Sequence, residues 1–139
     1  MKKNESVTHV MTANPVCVEV NESISTARHL IEEKGVHHLP VVQGDKLRGM
    51  LTSNDLLRVS FGEFGNQDGR SLDAILDHTY QLSDVMNANT VTIDSTDSIQ
   101  DAARILAVSE FHSLPVIDDG CLIGIVTSSD LINYLLKQY

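Results

Sequence analysis

Apolar residues along this chain keep two different rhythms. Val16, Val18 and Val20, separated by Cys17 and Glu19, follow the period of two of a half-buried strand. From Ser23 to Lys34 the rhythm changes: Ile24, Ala27, Leu30 and Ile31 mark one face of a helix that Gly35 stops. His37 to Val42 and Leu47 to Leu51 then read as two strands joined at Gln43-Gly44-Asp45, a hairpin. Thr52-Ser53-Asn54-Asp55 opens a helix carrying Leu56, Leu57 and Val59. Ahead of all this, Ser6 to Thr12 forms a predicted helical turn with Val7, Val10 and Met11 on one side, ended by Asn14-Pro15.

The same series is then written a second time. Gly49-Met50-Leu51-Thr52-Ser53-Asn54-Asp55 returns as Gly124-Ile125-Val126-Thr127-Ser128-Ser129-Asp130, and Asp55 and Asp130 stand 75 positions apart. That shift also carries Val10-Met11 onto Val85-Met86, Ser23-Ile24 onto Ser98-Ile99, His37 onto His112 and Leu39-Pro40-Val41 onto Leu114-Pro115-Val116, without a gap. The second copy predicts a turn at Leu82 to Met86, a strand Val91 to Asp94, a helix Ser98 to Ser109, strands Ser113 to Ile117 and Leu122 to Val126, and a helix Ser128 to Lys137. Its first helix begins Ser98-Ile99-Gln100-Asp101, an acidic capping-box variant that the first copy lacks. The fold class is therefore α+β, with two β-α-β-β-α units: residues 6–60, a linker over 61–81, and residues 82–139. Units this short bury too little surface alone, so they are expected to pack together, about a pseudo-two-fold axis. In the linker, Phe61 to Arg70 is too glycine-rich for regular structure, and Ser71 to His78 is a short helix with Leu72, Ile75 and Leu76 on one face. A connection of this length is either mobile or used for contact, and burial of Phe61 and Phe64 against the body is preferred over their exposure.

Composition narrows the function. A net charge of −9 argues against a nonspecific nucleic-acid surface. Residues 1–70 carry eight Lys and Arg against nine Asp and Glu, residues 71–139 two against ten, so an anionic ligand should find the first copy easier. The first six residues are charged without an apolar run behind them, and no stretch reaches the roughly 18 apolar residues that span a bilayer. The expectation is a cytoplasmic protein without membrane contact. Cys17 and Cys121 sit at non-equivalent places and match neither zinc spacing nor a disulfide framework, which leaves reduced, buried thiols.

Two chemistries compete for the duplicated Thr-Ser-x-Asp. In one, Thr52 and Thr127 accept from helix amides and Asp55 and Asp130 favour the positive helix end, which is capping and nothing more. In the other, free amides at the same junction meet a phosphate while an ionised Asp accepts both hydroxyls of a ribose cis-diol. Val16, Val18, Pro40 and Met50, with Val91, Ile93, Pro115 and Ile125, would then wall a planar base. No Gly-x-Ser-x-Gly elbow, Walker loop, His-Glu-x-x-His or paired-cysteine motif is present, so the chain is read as no enzyme and as carrying no metal.

Val10-Met11-Thr12, Val36-His37-His38-Leu39-Pro40-Val41-Val42 and Gly49 to Leu56, with their second copies, resemble a tandem pair of cystathionine-β-synthase (CBS) domains, a Bateman module. The resemblance spans nearly the whole chain outside the linker. It implies a regulatory ligand and no required cofactor: AMP, ADP or ATP, with S-adenosylmethionine and NAD ranked below them. It also implies a cleft between the repeats for that ligand, a homodimer, and a regulated protein partner. Carried over from the family, Asp55 and Asp130 bind ribose, and Thr52, Ser53, Thr127 and Ser128 contact ribose or phosphate. The places where the family often has basic residues for phosphate hold His37-His38 and His112-Ser113, so the second copy grips phosphate less. Two further readings stay open: a constitutive dimerisation or docking module whose motifs are only caps, and a regulatory piece of an enzyme or transporter.

Overall fold

The structure is a computed structural model that describes residues 4–61 and 69–139. In chain order, a 3-10 turn Val7–His9 leads to β1 (Thr12–Ala13), β2 (Val18–Glu19), α1 (Ile24–Lys34), β3 (His38–Gln43), β4 (Lys46–Thr52) and α2 (Ser53–Phe61). Next come α3 (Gly69–Thr79), α4 (Leu82–Val85), β5 (Ile93–Asp94), α5 (Ile99–Val108), β6 (Ser113–Asp118), β7 (Cys121–Thr127) and α6 (Ser128–Leu136). The side chains of Phe61 and Phe64 lie outside what is described. Among the described residues no helix is long and apolar enough to cross a membrane.

The chain forms two compact units whose borders differ from those of the sequence repeat. One is Val16–Thr90; the other joins Met1–Pro15 to Val91–Tyr139. In the first unit β2 runs parallel to β3 and β3 antiparallel to β4, and an antiparallel bridge between Met50 and Asn87 lays the segment after α4 along the far side of β4. In the second, β5 is parallel to β6, β6 antiparallel to β7, and β1 antiparallel to β7, with Thr12 opposite Ile125. Thr12 and Asn87 are equivalent positions of the repeat, as are Ile125 and Met50. Each copy therefore lends its leading Val-Met segment to the sheet built mainly from the other copy.

Glycine makes that loan possible. A Cβ on Gly49 would stand 2.7 Å from Met86 Sδ and 2.9 Å from the Asn87 carbonyl oxygen, and on Gly124 it would collide with Met11 Sδ and come within 3.0 Å of the Thr12 carbonyl oxygen. The hairpin turns also need special backbone: Gly44 takes φ 65°, and in the second copy Asp119 and Gly120 take 50° and 81°, both positive as a type I′ turn requires.

Strand alternation decides what is buried. Val18, Leu39, Val41 and Leu51 put their side chains into one core with Ile24, Ala27 and Ile31 of α1, Leu56 of α2 and Leu76 of α3. Ile93, Leu114, Val116 and Val126 do the same in the other unit with Val7 and Ala102. Each fully buried Val, Leu or Ile among them contributes about 1.5–3 kcal/mol of burial. Helix starts follow the sequence. Ser23 caps α1 by accepting from the Thr26 amide at 3.1 Å, while Ser98 caps α5 within a full capping box to Asp101. Those bonds hold the Asp101 carboxyl below its ordinary range, the backbone amide of Ser98 contributing most.

The linker helix α3 is used for contact. Leu76 is fully buried with Leu72 beside it, and two carboxylates one turn apart bind α1 at the rim. Asp73 takes Arg28 and, at 2.9 Å, His29 Nε2; Asp77 accepts from the Ser25 amide at 2.8 Å and from its hydroxyl. In the other unit the Tyr134 hydroxyl of α6 donates to Glu5 at 2.7 Å and so ties down the leading segment. The two cysteines form no disulfide and are half-buried rather than buried; partial burial, followed by the nearby Glu19, pushes the Cys17 thiol up.

Candidate functional site

Both duplicated junctions have the same geometry. The Thr52 amide donates to Asp55 Oδ2 at 2.9 Å, and the Asp55 amide donates to Thr52 Oγ1 at 3.1 Å. Thr127 and Asp130 repeat the pair at 2.9 and 3.1 Å. These are reciprocal capping boxes. The Ser53 amide donates to the His37 carbonyl and the Ser128 amide to the His112 carbonyl, each at 3.0 Å. This has a cost for phosphate binding that the sequence did not show: two of the first three amides at each helix start already have acceptors inside the chain.

The hairpin register brings the candidate residues together. His38 pairs with Thr52 and Ser113 with Thr127, so the histidine-bearing strand starts lie against the capping hydroxyls. His37 and His112 are exposed; His38 is half-buried, as are Thr52, Ser53, Asp55, Thr127, Ser128 and Asp130. Pro40 pairs with Met50, and Pro115 with Ile125. Alternation turns these four to the sheet face opposite Leu39, Val41, Leu114 and Val116.

Within each unit the four residues expected to wall a base divide between the two faces of the sheet. Val18 pairs with Val41 and Ile93 with Val116, and both point into the cores with 1% and 3% of their surface exposed. Val16 packs against the same core as Val18, while Val91 is left exposed. The period of two that marks a strand also fixes its face, and these strands turn theirs to the helices. Pro40, Met50, Pro115 and Ile125 are the members that remain on the other face.

One residue was missed. Arg58, one turn into α2, forms an ion pair with Asp55 Oδ1. The acid-base pair three residues apart was a readable signal. The equivalent position in α6 is Asn133, and among the described residues Asp130 forms no ion pair. Nor do the described residues contain a group of His, Cys, Asp or Glu that could hold a metal ion.

Comparison with known proteins places this geometry. The CBS domain profile matches the chain twice, over residues 7–62 and 82–137. A CBS domain-containing protein of Dictyostelium discoideum is 32% identical over 136 residues, which is 94% of this chain and 91% of that protein. A homoserine O-acetyltransferase of Methanocorpusculum labreanum is 32% identical over 128 residues, 91% of this chain but only 23% of the enzyme. Among solved structures, CBSX2 of Arabidopsis thaliana in complex with AMP superposes with a TM-score of 0.78 at 30% identity, covering 96% of this chain and 98% of that one.

Proposed function

We propose that this chain, which belongs to the CBS domain family, is a non-catalytic cytoplasmic sensor of an adenosyl ligand, AMP, ADP or ATP before S-adenosylmethionine or NAD. The observation that carries the reading is the strand-to-helix junction built twice with matching bond lengths, in a chain similar to one solved with AMP. In this reading Asp55 and Asp130 accept the ribose hydroxyls, and the Thr52, Ser53, Thr127 and Ser128 hydroxyls donate to ribose or phosphate. His37, His38 and His112 approach the phosphate, and Pro40, Met50, Pro115 and Ile125 meet the base. No bond is made or broken; occupancy matters only as far as the ligand prefers one arrangement of the protein over another.

The signal passes through a homodimer to a protein partner. Support for pairing comes from α6, where Ile132, Leu135 and Leu136 recur at helical spacing and stay exposed. A second reading, a constitutive dimerisation module without ligand, is favoured by the capping boxes, which explain the Thr and Asp pairs without a ligand.

Thermal shift with AMP, ADP, ATP, S-adenosylmethionine and NAD separates the two, because a ligand at a hundredfold excess over its Kd adds about 2.7 kcal/mol. Calorimetry should then show Asp55→Ala and Asp130→Ala each removing one binding event. If no adenosyl compound at millimolar concentration moves the melting curve, the constitutive module stands.

A further inference from the structure

We infer that the two junctions are unequal receptors: Arg58 covers the outer oxygen of Asp55, so the ribose enters at Asp130 first. This rests on the adenosyl reading above. A carboxylate that accepts both hydroxyls of a cis-diol needs lone pairs on the side facing the sugar. In each copy Oδ2 is taken by the threonine amide, at 2.9 Å in both. The copies part at Oδ1. At Asp55 it holds the Arg58 guanidinium, whereas Asn133 stands at the equivalent place beyond Asp130.

Arg58 reaches the carboxylate from the solvent side, its side chain 75% exposed and that of Asp55 only 14%. A cation gains nothing from the positive end of a helix, so the carboxylate is what draws it back there. The guanidinium must swing into water before a sugar can take its place. An ion pair this exposed is weak, so the handicap is about two- to fivefold in affinity. Phosphate pulls the other way, because the first copy has His37-His38 where the second has His112-Ser113. An uncharged nucleoside removes that term and leaves the carboxylates alone to rank the sites.

The experiment is calorimetric titration of the full chain with adenosine, with AMP in parallel. Expected for adenosine are two unequal events, the tighter abolished by Asp130→Asn and the weaker by Asp55→Asn; asparagine retains an oxygen for the cap. Arg58→Gln should strengthen the weaker event about two- to fivefold and leave the tighter one unchanged. The inference is overturned if Arg58→Gln leaves the weaker event as it was or weakens it, or if Asp130→Asn removes the weaker of the two. Failure of the underlying reading looks different: neither adenosine nor AMP binds the wild-type chain, or binding survives the Asp55→Asn/Asp130→Asn double variant.

Discussion

The first copy's helix α1 carries a cover, α3, whereas the second copy's α6 shows apolar side chains to solvent. α3 lies on α1 with Leu76 buried beneath it and Asp73 and Asp77 gripping Arg28, His29 and Ser25 at the rim. Seventy-five positions on, Arg28 and Glu32 become Ala103 and Ala107, both exposed, and Ile132 and Leu136 of α6 are 57% and 65% exposed. Beneath these surfaces the copies agree closely: the same capping boxes, the same hairpin register, the same glycine under a methionine. Duplication has kept what the interior and the helix starts require and has changed what each copy shows on its outer helices.

The cover gives the largest handle. Leu76→Ala should cost about 2–5 kcal/mol in chemical denaturation and speed hydrogen exchange within residues 16–90 while leaving 91–139 nearly unchanged. Equal acceleration in both regions would erase the contrast. Next come the shared glycines. Gly49→Ala and Gly124→Ala should each cost about 1–3 kcal/mol, by similar amounts, because each Cβ meets a carbonyl oxygen at 3.0 Å or less with a methionine sulfur close by. A loss at one site only would show the two methionine contacts to be unlike.

Acid tests the rim. Partial burial pushes the Asp73 carboxyl up, but hydrogen bonds and charge from Arg28 and His29 outweigh it and hold the group below its ordinary 3.8. A lowered folded value means the stabilisation is complete above 3.8 and is lost as pH falls through that lower value. Acidification should therefore loosen α3, and Asp73→Asn should remove that part of the response in residues 16–90 alone, as the backbone amide NMR signals of α3 across a pH series would report. The smallest difference lies at the caps. Ser23→Ala and Ser98→Ala should each cost about 1 kcal/mol, the second slightly more because it also strands Asp101, as melting temperatures would show.

Much of this was legible along the chain. α1 follows from the spacing of Ile24, Ala27 and Ile31, the hairpins from Gly44 and from Asp119-Gly120, and the equivalence of Asp55 and Asp130 from a constant offset. Local patterns miss what depends on distant partners. β1 is two residues long, and its partner Ile125 lies far along the chain, so Thr12 was assigned to a helical turn rather than a strand. Val16 to Val20 alternates over five positions, yet only Val18 and Glu19 form ladder pairs, because alternation reports burial and not hydrogen bonding. The same alternation shows Val18 and Ile93 to be inward-facing without naming the core each one joins. The clamp of Asp73 and Asp77 on α1 joins residues some forty to fifty positions apart, and neither helix shows alone that the other will cover it.

The exchange of leading segments bears on ancestry. A solitary primordial repeat would have had its Val-Met arm with no sheet of its own to receive it and a bare glycine waiting for a neighbour's sulfur. In the present chain each arm is received by the sheet of the other copy. Severing the chain in the linker today would not yield two self-sufficient modules but two incomplete ones, each holding the other's missing piece.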